Sequence, residues 1–395
     1  MKALENIKVL DLTVALAGPF CTQMLAAQGA EVINVDPPGG GYAAKVFGSL
    51  PPELQKMING SVFANKKGVS INLKTEEGRK LVLELIDKVD VVVSNFSPGT
   101  MDRLGLSYEV VHKRNPKVVY CVVSGFGQSG PLRDRPAYDP IVQAMTGIMS
   151  INGFPDRDPI PVVGALADVA SGMYAAYGIL AALHARDTLT GEGQMVDVAM
   201  YDCCMSFLQN DMATSLFKQK AKGPGNPYEF AVPVGNFKTR EGKSVYLLCQ
   251  TDKQCNTIME LAGRSDIAEK GWHLKERMKN REEIDAVTAA WIKEHTREEV
   301  EQILLEKGIP AAPVLDLLEV AKHPHTAARE MLNDLPDGHG NTIRGNLGVV
   351  PKLLGTPGKQ EWGMTGNGFF NEEIFGGLLG KSQAEIQQLK EAGVI

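Results

Sequence analysis

A chain of 395 residues, 44% hydrophobic and 22% charged, is long enough for about two domains and has the make-up of an ordinary globular protein. Its net charge of −6 leaves no basic excess to neutralise phosphates, which tells against a nucleic-acid partner, so any anionic ligand has to meet a local cluster of Lys and Arg. Six cysteines (Cys21, Cys121, Cys203, Cys204, Cys249 and Cys255) form no C-x-x-C pair and sit mostly in apolar runs, so reduced, packed thiols in a cytoplasmic protein are expected rather than a disulfide frame or a zinc site.

The N-terminus carries acids at Glu5 and Asp11 without a long apolar run, so it does not read as a secretory signal. Residues 8–13 (K-V-L-D-L-T) read as a buried strand, followed by the turn 14–19, a helical stretch ending near Gly29, and a second strand at 31–36 (E-V-I-N-V-D). Strand, helix and strand joined by short turns form a βαβ unit, with parallel pairing and a right-handed crossover. The pattern continues with a helix over 75–89, a strand at 90–94, a short helix at 107–114 and a strand at 117–124. This is the alternation of a doubly wound, Rossmann-like α/β domain, in which ligands sit beyond the carboxyl ends of the strands. The loops at 14–19, 36–45, 94–99 and 124–131 are therefore where binding residues are sought.

The stretch from Gly164 to Leu183 is built from small and apolar residues, and Asp168 is its one acid. A charge in such a run costs free energy unless something satisfies it. Asp168 is either a helix-capping residue or a catalytic carboxylate kept ionised by the positive end of a helix. The stretch also has the hydropathy of a membrane span, but Asp168, His184 and the many Gly and Ala residues favour a buried helix. A glycine turn then leads into a strand within T-L-T-G-E-G-Q-M-V-D-V-A-M (188–200), and 201–219 reads as a helix. The Gly- and Pro-rich segment 221–230 marks a domain boundary. Beyond it, a hairpin turning at Glu241-Gly242, helices near 251–262, 281–294 and 297–307, and capping boxes at Thr296/Glu299 and Ser382/Glu385 are expected. The predicted organisation is a large domain over 1–222, completed by 328–395, and a smaller α+β domain over 230–325.

Several motifs occur in order along nearly the whole chain: L-D-L-T-V-A-L-A-G-P, N-K-K-G-V-S-I-N-L-K, N-F-S-P-G-T-M-D-R-L-G-L, S-G-F-G-Q-S-G-P, P-A-Y-D, the Asp168 helix start, and T-G-E-G-Q-M-V-D-V-A-M. Together they resemble the class III CoA-transferases, the family of formyl-CoA transferase and carnitine CoA-transferase. The resemblance implies a Rossmann-like large domain and a small domain, and two ring-shaped chains interlocked as a homodimer. It implies transfer of CoA from an acyl-CoA donor to a small carboxylic acid, without a metal, a membrane or nucleic acid. Asp168 falls at the family's catalytic carboxylate, which attacks the thioester, passes through mixed anhydrides and carries CoA as an aspartyl thioester. Asn95, Phe96 and Arg103 fall where the family binds CoA, Lys45 where relatives often carry Arg, and Lys74 adds charge nearby. Lys66 and Lys67 are either part of that cationic group or a solvated turn. Tyr138 is expected to line the pocket, and Gln128 and Leu16 to border the substrate. Backbone N–H groups of the 14–19 turn, at Ala17 and Gly18, are candidates for oxyanion donors, with Gly18 allowing close approach. Leu16 stands where formyl-CoA transferases carry Gln, and P-V-G-N-F (233–237) replaces their run of glycines. A larger or less polar acid than formate or oxalate is therefore expected.

Other readings fit less of the sequence. An α-methylacyl-CoA racemase shares the resembled fold but pairs a His with an Asp across the α-carbon. The corresponding triplet here is Ala137-Tyr138-Asp139, and no His occurs between His112 and His184. A dehydrogenase would use Asp36 as its ribose-binding acid, yet the first βα turn lacks G-x-G-x-x-G. A non-catalytic CoA-binding protein leaves Asp168 unexplained, and His323 and His325 have no accompanying acid–Cys cluster to suggest a metal.

Overall fold

The computed structural model describes residues 1–41, 46, 48–221, 223 and 230–395. Strands rich in Val, Ile and Leu set the architecture: β1 (Lys8–Leu12), β2 (Glu31–Asp36), β3 (Lys66–Ser70), β4 (Val91–Ser94), β5 (Val119–Ser124) and β6 (Met195–Ala199) form one parallel sheet in the order β3-β2-β1-β4-β5-β6. Alternate side chains face opposite sides, and both faces are buried, as an all-parallel sheet requires. Leu10, Ile33, Val92 and Tyr120 pack toward the helices Glu76–Ile86 and Tyr108–Arg114, together with Phe375, Ile386 and Val394 of the returning C-terminal segment. Val9, Val32, Val91, Val93 and Val123 pack toward α1 (Ala17–Ala27) and the long helix Leu166–Ala185.

The strand order reverses direction between β1 and β4. That switch point opens a crevice beyond the carboxyl ends of the strands. α1 and the long helix approach closely above it. A Cβ on Gly172 would lie 2.7 Å from the Ala17 carbonyl oxygen, so the small residues of the apolar stretch serve helix–helix contact. Only one face of the long helix is buried in this chain, however, with Met173, Tyr177 and Leu180 exposed.

The chain divides into two compact units, one of residues 1–153, 157–223 and 324–395 and one of residues 154–156 and 224–323. The second unit has an antiparallel sheet, β7 (Val234–Lys238), β8 (Ser244–Leu248) and β9 (Ala311–Pro313), in that order. Helices Asp252–Leu261, Arg281–Lys293 and Arg297–Glu306 pack on it around Ile258, Ile284, Ile292 and Leu304. The hairpin and the capping boxes at Thr296 and Ser382 form as expected.

Some expectations need correction. Lys66 and Lys67 lie in β3, not in a solvated turn. The helix expected over 201–219 is two helices, Met200–Ser206 and Gln209–Lys218, parted at Phe207-Leu208. The helix Pro52–Phe63 and the hairpin of β10 (Leu332–Pro336) and β11 (Thr342–Leu347) were not anticipated. All six cysteines are buried and unbridged.

Candidate active site

A cavity of about 390 Å³ opens at the switch point. Its walls come from the turn after β1 (Val14, Ala15, Ala17), the segment after β4 (Asn95 to Pro98), the end of β5 (Val123 to Gly125), residues 133–138, Met200, and Asp168.

Asp168 is the third residue of its helix, with the carboxylate toward the cavity. It is not the cap. The residue ahead of the helix is Ala165 in left-handed backbone (φ 54°), which provides no side-chain acceptor. The cap comes instead from another helix start: Asp139 Oδ1 accepts the Ala167 N–H at 2.6 Å, while its Oδ2 accepts from Gln143 Nε2 at 2.7 Å. Asp168 is thus relieved of the structural task and makes no hydrogen bond to another described side chain. Burial, and then the nearby Asp139 charge, push its carboxyl up to about 6. This corrects the expectation that the helix N-terminus governs its ionisation. At pH 7 the carboxylate still outnumbers the acid by about ten to one. The group is therefore charged, poorly solvated and more basic than a free carboxylate.

The turn after β1 is held from below and from the side. Fully buried Asp11 accepts from Thr13 N–H (3.0 Å), Thr22 Oγ1 (2.6 Å) and Lys66 Nζ (2.9 Å), and Lys66 also donates to the Pro19 carbonyl (2.8 Å). Lys66 is a buried structural ion pair and does not offer its charge to a ligand. Lys67 pairs with Glu31 and Glu373. From the side, Asn95 Oδ1 accepts the Val14 N–H at 2.8 Å and its Nδ2 donates to the Val14 carbonyl at 2.7 Å. The Asn95 amide therefore positions the turn. Ala15 there has left-handed backbone (φ 63°), the second such alanine at this cavity, and strain of this kind persists only where the surroundings enforce it.

The remaining sequence candidates are spread more widely. Ala17 lines the cavity, and the N–H groups of Ala17 and Gly18 lie in the first turn of α1, where no intrahelical acceptor is available. Gly18 is needed for a different contact than expected: a Cβ there would lie 2.5 Å from the Thr13 side chain. Leu16 precedes α1 and does not line the cavity. Phe96 lines it, and exposed Tyr138 stands at its edge. Gln128 lines a neighbouring cavity of about 410 Å³ with Ser94, Tyr108 and Tyr120, and donates to Ser124 Oγ at 3.3 Å. Arg103 is exposed, donates to Thr100 Oγ1, and lines neither cavity. Lys74 is exposed beyond β3 at the sheet edge, also away from both. Lys45 lies outside the described residues. Asp36, half-buried, lines a third cavity with Lys66.

Three charged residues at the site escaped the reading of the sequence. Asp139 was weighed only as half of a racemase pair. Arg133 and Arg135 line the Asp168 cavity from the R-D-R segment between two of the motifs. Two guanidiniums on the wall, and Leu16 away from it, set aside the expectation of a less polar acid. Among the described residues, no histidine lines the cavity to serve as the second base of a racemase.

Known proteins agree with this arrangement. The family model for CoA-transferase family III matches residues 4–365. Succinyl-CoA–D-citramalate CoA-transferase of Chloroflexus aurantiacus is 33% identical over 100% of this chain and 98% of its own length. Acetyl-CoA:oxalate CoA-transferase of Acetobacter aceti is 36% identical over 83% of this chain and 85% of its own. Succinyl-CoA:mesaconate CoA-transferase of Haloarcula marismortui is 34% identical over 91% and 92%. Among solved structures, a CaiB/BaiF family protein from Brucella suis superposes with a TM-score of 0.83 at 29% identity, covering 95% of this chain and 99% of that one. With a doubly wound sheet, a lone carboxylate at its switch point and a family match across nearly all its length, the chain belongs to CoA-transferase family III.

Proposed function

We propose that this enzyme transfers CoA from an acyl-CoA donor to a free carboxylic acid, with Asp168 as the covalent carrier. The observation that carries this reading is the relief of Asp168 from capping by Asp139, which leaves a partly desolvated carboxylate facing a cavity. Asp168 attacks the thioester carbonyl and expels CoA thiolate, giving a mixed anhydride. The thiolate attacks the aspartyl carbonyl, releasing the donor acid and leaving an aspartyl-CoA thioester. The acceptor carboxylate attacks that thioester and again expels thiolate. The thiolate takes the acceptor's acyl group from the second anhydride and restores the Asp168 carboxylate. No net proton is exchanged.

The first-turn N–H groups of Ala17 and Gly18 are suited to the oxyanions, and Asn95 fixes the turn that presents them. Apolar Val14, Ala15, Ala137 and Met200 limit water, which would hydrolyse an anhydride. Phe96 offers an apolar face to the CoA arm. The acids named for the relatives, among them succinate, citramalate, mesaconate and oxalate, point to short acids. A second copy of the chain fits the exposed apolar face of the long helix and the helix Gln209–Lys218, which buries none of its residues and leaves Phe217 89% exposed.

The test is Asp168→Ala with CoA affinity measured in parallel. Transfer is lost while CoA binding stays within a few-fold, and hydroxylamine added with acyl-CoA marks Asp168 in the native enzyme. Full activity in the variant overturns the mechanism.

A further inference from the structure

The cavity wall opposite the apolar residues is cationic. Two turns fold the R-D-R segment: the Arg133 N–H donates to the Gly130 carbonyl at 3.3 Å and the Arg135 N–H to the Leu132 carbonyl at 2.9 Å. Arg133 and Arg135 both line the cavity that holds Asp168. Neither pairs with Asp168. Arg133 reaches only Asp134, at 4.0 Å, and Arg135 has no ion pair with a described residue. A cation meant to tune the nucleophile would lower its pKa, yet the causes acting on Asp168 are burial and Asp139. The two guanidiniums therefore share the cavity with the nucleophile without attending to it.

We infer that Arg133 and Arg135, with Arg135 the principal group, bind the second carboxylate of a short dicarboxylic acyl group while its first carboxyl reacts at Asp168. Guanidinium matches carboxylate in a bidentate fork, and the match sharpens where the surroundings are partly apolar. The phosphates of CoA are the other anions on offer. They lie a whole pantetheine arm from the sulfur, whereas these guanidiniums line the cavity of the reacting carboxylate itself. Arg133 also borders the neighbouring cavity, while Arg135 borders only that of Asp168, which makes Arg135 the better reporter. The inference rests on the Asp168 mechanism and specifies which acids it serves.

The test compares succinyl-CoA with butyryl-CoA, thioesters of the same carbon count that differ in the terminal carboxylate. The full chain is mixed with each, and formation of the Asp168–CoA thioester, with release of succinate or butyrate, is followed by intact-protein mass spectrometry. The native enzyme reacts with succinyl-CoA at least about tenfold faster, and in Arg135→Gln this ratio falls by about tenfold. Arg133→Gln lowers it less, and Arg135→Lys restores part of it by returning the charge without the fork. Binding of desulfo-CoA, which carries every phosphate but no acyl group, is measured alongside. Equal rates for the two thioesters in the native enzyme overturn the inference, as does a ratio that survives both glutamine substitutions. A loss of desulfo-CoA affinity as large as the loss of succinyl-CoA rate assigns the guanidiniums to phosphate and also overturns it. These outcomes leave the aspartyl mechanism standing. Absence of an adduct with either thioester removes that mechanism and this inference together.

Discussion

Replacing the nucleophile should make the protein more stable while making it inactive. In the folded chain the Asp168 carboxyl is raised from 3.8 to about 6. A carboxylate held charged against that shift weakens the fold by about 3 kcal/mol at pH 8, at about 1.36 kcal/mol per pH unit. Its place in the first helical turn returns about 0.3–1 kcal/mol, so Asp168→Asn gains about 2–3 kcal/mol at pH 8. The sign follows from linkage. The folded state holds the proton more tightly than the unfolded one, so the penalty is full above the folded pKa and shrinks as pH falls toward the unfolded value. At pH 5 it is roughly half as large. Calorimetry of Asp168→Asn at the two pH values checks this. The transition of the unit containing Asp168 rises by several degrees at pH 8 and by about half as much at pH 5. An asparagine variant no more stable than the native protein at pH 8 refutes the picture of a strained carboxylate, whatever becomes of its activity.

Three other outcomes follow from the same geometry. The transfer rate should fall about tenfold per pH unit below pH 6 as Asp168 is protonated. Asp139→Asn keeps an oxygen acceptor for the Ala167 N–H but removes a like charge, so this acidic limb moves to lower pH in kcat/KM profiles. Lys66→Met strands the buried Asp11 charge and should cost about 3–5 kcal/mol in urea denaturation, whereas an unchanged midpoint would show that Asp11 finds other support. Gly172→Ala places a Cβ against the Ala17 carbonyl, costs about 1–3 kcal/mol by thermal unfolding, and raises KM by tilting α1 beneath the oxyanion donors.

The sheet was legible because its strands are apolar runs separated by turns at short range. β3 was not, since Lys66 and Lys67 interrupt its apolar character. Their reason for being there, Asp11 and Glu31 on neighbouring strands, is remote in sequence. Asp168 announced itself by standing alone in an apolar stretch. Its release from capping did not, because the substitute, Asp139, begins a different helix. Arg133 and Arg135 carried no signal beyond two exposed charges in a loop, and only the folding of residues 133–138 over the strand ends gives them a common cavity with Asp168. Asn95 was found for its position in a motif, but its bonds to Val14 cross two strands that the sequence does not show to be neighbours.

The left-handed alanines set a narrow limit on how this site can vary. At Ala165 (φ 54°), three residues ahead of the nucleophile, β-branched residues are excluded by their own geometry. Asparagine and aspartate tolerate that backbone, but each would bring a second polar group to the helix start and compete for the amide that Asp139 already holds. Glycine would fit without strain and would surrender rigidity to the unfolded chain. Alanine is the compromise that keeps the nucleophile's approach both fixed and chemically silent, so divergence at this position should be far slower than its plain side chain suggests.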